Sequence, residues 1–272
     1  MAGTVAPPVT DPELDVEVDP DARGPLGTAF RYLAMPLLIT AIIGGLYLWV
    51  QGQELDSIEL RQLESSILWP RFVEHVQLSA LSTFFVLFLA VPTGILMTRP
   101  RFRRFAPAVI GLGNAGQAIP SLGTLALLYF LFVAVDGLPS TGLVPVTVAL
   151  VGYSFLPILR NTMVGLDQVD PSVLEAGKGM GLSDRRILRR IELPLAVPVV
   201  LAGVRTALVL NIGTAALAFL FGGGGLGVII QRGFQLSRTP VLVTGAVLVA
   251  ALALAADYLA GIIEEKLAPK GL

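Results

Sequence analysis

Few residues in this chain of 272 could do bond-making chemistry. It has one histidine, His75, and no cysteine, so it lacks the means for a His-rich metal cluster, a thiol nucleophile or a cysteine metal site. The clustered His, Asp or Glu that a membrane enzyme needs are missing. No Gly-x-x-x-x-Gly-Lys-Ser/Thr phosphate loop occurs, because Lys178 follows Gly177 but precedes Gly179. No residue is expected to be catalytic, and no metal site is expected. The densest signal is Glu175-Ala176-Gly177, three residues, Gly181, nine residues, then Ile191-x-Leu193-Pro194. Asp170 can cap a helix that opens at Pro171 and stops near Gly177, Gly179 and Gly181. Ser183 or Asp184 can cap a second short helix reaching Ile191, with Arg185, Arg186, Arg189 and Arg190 on it, before Pro194 opens an apolar run. The spacing predicts a helix-turn-helix knob. On its charges alone, a basic helix lying on anionic lipid fits equally well.

The remaining polar groups lie inside apolar runs. Arg205 sits within one, where an arginine near the helix centre costs about 2.5–3.5 kcal/mol on insertion scales. It could line a pathway or a subunit interface, or brace neighbouring carbonyls. Asn114, Gln117, Ser121, Thr124, Asn211 and Thr214 should turn away from lipid, whether as pathway groups or in helix packing. Tyr153 and Phe155 could meet a quaternary ammonium by cation–π attraction, or simply pack. Gly222, Gly223, Gly224, Gly225 and Gly227 form a glycine run whose backbone freedom suits an outer gate or a tight connector. Asp257 falls near one end of its run, as a solvated or helix-paired carboxylate, and His75 and Glu74 open another run.

The elements that must position these groups follow from composition. Hydrophobic residues make up 54% of the chain and charged residues 14%, well below the roughly 25% charged of a soluble domain. The apolar stretches are continuous rather than alternating, which predicts an all-α, polytopic membrane protein and excludes a transmembrane barrel. Six spans are expected, at about 32–50, 76–97, 108–135, 143–159, 195–221 and 241–263. The third is too long for one straight crossing, and Pro120 at its middle predicts a kink or a broken helix. Residues 1–28, with six acids between Asp11 and Asp21, read as a disordered acidic tail. The segment from Glu54 to Glu74 fits an interfacial helix with Trp69 at the boundary, or a plain connector. With the N-terminus inside, fourteen of the nineteen Lys and Arg fall on inner loops, Arg160 among them, and four on outer ones. That bias puts both termini in the cytoplasm. The net charge of −1 and the lack of a basic patch point to no nucleic-acid partner.

The spacing from Glu175 to Pro194 resembles the EAA loop of ABC-importer permeases. The stretches Gly116–Leu128, Tyr153–Leu166 and Ala202–Gly227 are similar to the osmoprotectant branch of that family, and the likeness covers roughly residues 74–263. The resemblance implies an ABC type I importer permease fold: a five-helix core at 76–264 with its coupling loop at 165–193. An extra N-terminal helix and outer connector at 29–75 and an inner tail at 265–272 would flank it. In that family the loop docks into a groove of an ATP-binding subunit. Ala176 is small enough for close approach, Gly181 permits the turn, and Glu175 can cap or pair with a basic group of the partner. Gly177 stands where the family usually has a second alanine, a change worth about 1 kcal/mol in helix propensity.

The resemblance further implies transport of glycine betaine, choline, carnitine or a proline-type compatible solute across the cytoplasmic membrane. The implied partners are an ATP-binding subunit carrying the ATP and Mg, a second permease copy or a paralogous permease, a separate solute-binding protein outside, and the lipid bilayer. Another small solute, such as methionine, a sulfonate or an oxyanion, stays open. A secondary carrier would need a free carboxylate at mid-membrane, where Asp136, in an outer loop, and Asp257 do not fit.

Overall fold

The computed structural model describes residues 25–135 and 137–267. Most of the expected tail and Asp136 lie outside that range. The expected tail's last residues already belong to helix α1 (Pro25–Gln51). A short helix α2 (Ser57–Leu63) follows, with Asp56 accepting from Ile58 N–H and Glu59 N–H while Glu59 returns a bond to Asp56 N–H. This reciprocal pair satisfies two N-terminal donors at once.

Helix α3 (Ser65–Thr98) is longer than its apolar core, because much of the outer amphipathic segment is continuous with it. Then come α4 (Ala106–Ala118) and α5 (Ser121–Ala134), bent by 104° across Ile119 and Pro120. Pro120 lacks the N–H that would continue the ladder. Helix α6 (Leu143–Asp167) extends eight residues past the expected end of its span, so Arg160 lies within the helix rather than in a loop. Arg205 is therefore not the only basic residue inside a membrane-length helix.

The next helix, α7 (Pro171–Gly179), leads to α8 (Asp184–Ile187), and a π-helical turn, Leu188–Glu192, joins α8 to α9 (Leu193–Ala215). The expected second loop helix and span five are thus one rod, Asp184–Ala215. Helix α9 stops at Ala215, short of the expected Phe221, and the chain turns through a 3-10 segment, Ala218–Phe221. Helices α10 (Gly227–Gln235) and α11 (Thr239–Leu267) close the fold.

Among the described residues five helices are long and apolar enough to cross a membrane, and the bent α4–α5 pair passes the same test when taken as one broken span. Two sets of contacts mark the ends of the bundle. At one end Arg99, after α3, binds Glu192, before α9. At the other, Gly142 N–H donates to the Phe221 carbonyl at 2.8 Å and Gly225 N–H donates to Glu74. The chain enters α4 at the first end and leaves α5 near the second, so the bent pair traverses the bundle.

Helix α6 sits centrally, against α3 and α9, with α4 and α5 on another side; α11 packs on α9, and α1 on α11. Small residues let the backbones approach, as membrane packing favours. A Cβ at Gly94 would lie 2.7 Å from Thr162 Cβ, and one at Gly203 2.7 Å from Asn161 Cβ. The core fills in two patches. Leu78, Leu125, Val146 and Leu150 lie toward the Gly225 end, and Val86, Leu156, Ile158 and Leu159 toward the Arg99 end.

Candidate functional site

The loop between α6 and α9 folds as its residue types dictate. Asp170 accepts from Ser172 N–H at 2.8 Å, and Pro171 opens α7. That backbone bond, helped by the Ser172 hydroxyl, holds the Asp170 carboxyl below the usual range. The cap is therefore charged above the ordinary carboxylate range and weakens as pH falls through the lowered value. Gly181 turns the chain at φ +78°, a conformation that only glycine adopts freely. Gly177 is buried, and a Cβ there would lie 3.0 Å from Ile191 Cδ1 and 3.5 Å from Ile187 Cγ1. The missing methyl thus seats α7 on the α8–α9 rod, which explains the departure from alanine. Ser183 begins α8 without a side-chain cap.

Glu175 and Ala176 lie on α7, with Val173 and Met180 exposed at 41% and 74%. Ile191 and Leu193 belong to the rod, and Pro194 sits in the first turn of α9, directly after the π-helical turn Leu188–Glu192. The loop is pinned to the bundle twice. Glu192, almost fully buried, takes two bonds from Arg99, and Arg103 approaches Asp167 at 3.7 Å. The carboxylate's bonds raise the Arg99 pKa further.

The expected pathway residues Asn114, Gln117, Ser121, Tyr153, Arg205 and Asn211 do not form one site. Asn114, Gln117 and Tyr153 share the α4–α6 face. Gln117 Nε2 donates to the Tyr153 carbonyl at 3.1 Å, and Asn114 Oδ1 accepts from Arg160 Nη2 at 2.8 Å. Ser121 opens α5 just past the bend. Asn211 is buried between α3 and α9, donating to Thr83 Oγ1 at 3.0 Å. Arg205 faces away from α4, toward α11. It binds both oxygens of Asp257 and comes within 3.8 Å of Glu264. Asp257 lies ten residues from the end of α11, so it is the helix-paired carboxylate rather than the solvated one. Tyr32 and Tyr258 lie beside this pair, where Tyr258 donates to the Tyr32 carbonyl at 2.6 Å and Tyr32 to Glu265 at 2.9 Å. Together they line a cavity of about 400 Å³.

The glycine run packs tightly. Gly222, Gly224 and Gly225 have φ of +76°, +72° and +78°. A Cβ at Gly223 would sit 2.9 Å from Ala218 Cβ, one at Gly224 2.5 Å from Glu74 Oε2, and one at Gly227 on the Ala216 carbonyl oxygen. Glu74 also accepts from Arg71 at 2.7 Å, while buried His75 donates from Nε2 to the Ile212 carbonyl at 3.0 Å. Glu74 and His75 anchor this loop across about 150 residues of sequence. Neither they nor Glu192, Asp257 and Arg160 stood out as site residues. A charge-balance count inside the apolar runs would have flagged Asp257 as the partner of Arg205.

The chain has the helical bundle of a known membrane-protein architecture. Its fold is shared with the inward-facing MetNI methionine ABC transporter, whose matched chain is 24% identical with a TM-score of 0.65 over 74% of this chain and 96% of that one. Residues 90–269 match the family described as binding-protein-dependent transport system inner membrane component, and the chain belongs to that family. It is 42% identical over 199 residues to the glycine betaine/carnitine/choline transport system permease protein OpuCB of Bacillus subtilis (strain 168), covering 73% of this chain and 88% of that protein. It is 40% identical to the choline transport system permease protein OpuBB of the same organism, over 79% of this chain and 95% of that one. To the osmoprotectant import permease protein OsmY of Salmonella typhimurium (strain LT2) it is 38% identical, over 89% and 97%.

Proposed function

We propose that this permease carries an osmoprotectant of the betaine, choline and carnitine type across the cytoplasmic membrane, driven by ATP hydrolysed on a separate subunit. The observation that carries this reading is the fit between relatives named for those solutes and a 171–194 loop built as a rigid docking element. Helix α7 offers Glu175 and Ala176 to the ATP-binding subunit, and a solute-binding protein delivers cargo at the Gly225 end. A second permease, identical or paralogous, completes the pathway. The excess of Lys and Arg on the loops at the Arg99 end supports a cytoplasmic position for that end and for both termini. Alternation of access is then rigid-body motion of one permease against the other.

Uptake of radiolabelled betaine and choline, with and without this subunit, tests the cargo. Uptake unchanged by removing the subunit counts against the assignment. Charge reversal Glu175→Lys is expected to leave ATP hydrolysis running with uptake reduced at least tenfold, and unaltered coupling would overturn the role of the loop.

A further inference from the structure

Arg160 is the residue for which the fold leaves a task open. It lies seven residues before the end of α6, about 10 Å inward along the helix from Asp167. Its neighbours Thr162 and Asn161 abut Gly94 and Gly203 of the flanking helices, so this stretch is well inside the bundle's length. The side chain is exposed, and its hydrogen-bond partner is a neutral amide oxygen, Asn114 Oδ1. Among the described residues no carboxylate pairs with it, whereas Arg71, Arg99, Arg103, Arg205 and Arg238 each have one.

A bare guanidinium at that depth is costly unless it faces water or an anion. Tyr153 is two helical turns away on the same side of α6, and Gln117 and Asn114 border it from α4. Buried Leu156 packs on α4 at Gly113 between the two polar contacts, so the polar groups at Arg160 and Asn114 form one local site rather than a continuous stripe.

We infer that Arg160, steadied by Asn114, receives the carboxylate of the solute as it crosses. The amide oxygen occupies one N–H of the guanidinium and leaves a fork of donors free, the geometry that binds a carboxylate through two parallel bonds. The same charge repels the quaternary ammonium, so the site orients a zwitterion with its carboxylate toward α6. Choline has no carboxylate and gains nothing there. The inference rests on the osmoprotectant reading and adds a rule to it: dependence on Arg160 follows the carboxylate of the cargo.

The test uses the complete complex in proteoliposomes with trapped ATP, comparing betaine and choline uptake. Arg160→Gln is expected to lower betaine uptake at least tenfold and choline uptake less than twofold, with Arg160→Lys intermediate for betaine. Equal losses for both solutes, or no loss, would overturn the inference, as would a wild-type complex that moves choline alone. A wild type that moves neither overturns the osmoprotectant reading itself. A second measurement does not depend on cargo. The chain has no cysteine, so Arg160→Cys is a single-thiol probe. Labelling by a membrane-impermeant maleimide in opened vesicles is expected, and an unreactive thiol in a folded complex would place the residue in lipid and overturn the inference.

Discussion

Two arginines lie at similar depth in this bundle and live in opposite surroundings. Arg205, on α9, is clamped by Asp257 and flanked by Glu264, with α1 packed on the same helix as those acids. Arg160, on α6, has an amide for company and an exposed, polar face. The first is neutralised within the chain, while the second has no carboxylate partner among the described residues. On the inference drawn for Arg160, the difference separates a scaffold side, α1–α9–α11, from a working side, α4–α6. Membrane charges should accordingly be read by their neutralisation rather than by their presence.

Removing Asp257 breaks the comparison most violently. Asp257→Ala strands Arg205 without its bidentate partner. Since both groups are partly exposed, the expected loss is about 2 kcal/mol, less than for a fully buried pair, seen as a lowered melting temperature in detergent. The charge-free double variant Arg205→Met with Asp257→Leu is expected to recover most of that stability. Full stability in Asp257→Ala with transport abolished would make this side a working one.

Glu192→Gln comes next. It takes from Arg99 the carboxylate that it bonds at the root of the loop and is expected to cost about 1–2 kcal/mol. It should also raise ATP hydrolysed per solute moved, measured in proteoliposomes. On the working side, Asn114→Ala is expected to change stability by less than about 0.5 kcal/mol, as for an exposed polar group, while lowering betaine uptake severalfold. A large drop in melting temperature would turn that face into scaffold. The smallest effect is expected from Gly177→Ala. The gain of about 1 kcal/mol in helix propensity is largely offset by the 3.0 Å approach to Ile191 Cδ1. Calorimetry should find it within about 0.5 kcal/mol of wild type.

What the sequence made legible is what short range determines. The apolar runs marked the crossings, Pro120 marked the broken helix, and Asp170, Pro171 and Gly181 marked the start of α7 and its turn. Each is a local steric or hydrogen-bonding requirement. The limits of α6 were missed because a charge inside a helix looks like a loop when its polar neighbour, Asn114, is 46 positions away. The pairing of Arg205 with Asp257 and the docking of Gly225 on Glu74 join residues 52 and 151 positions apart, and no periodicity connects them. The six pathway candidates scattered for the same reason. Polarity inside a span shows that a group must find a partner, and only the packing shows which one.

The continuous run from Asp184 to Ala215 has a mechanical meaning. Its 32 residues make a rod of roughly 48 Å, gripped at Glu192 by Arg99. That grip divides it into a short arm under the docking helix and a long arm reaching the carbonyl of Ile212, to which His75 binds. The arms are 8 and 23 residues long, and the long one is packed against α3, α6 and α11. The docking helix and the far end of the bundle are therefore joined by one unbroken element, with no flexible linker between them.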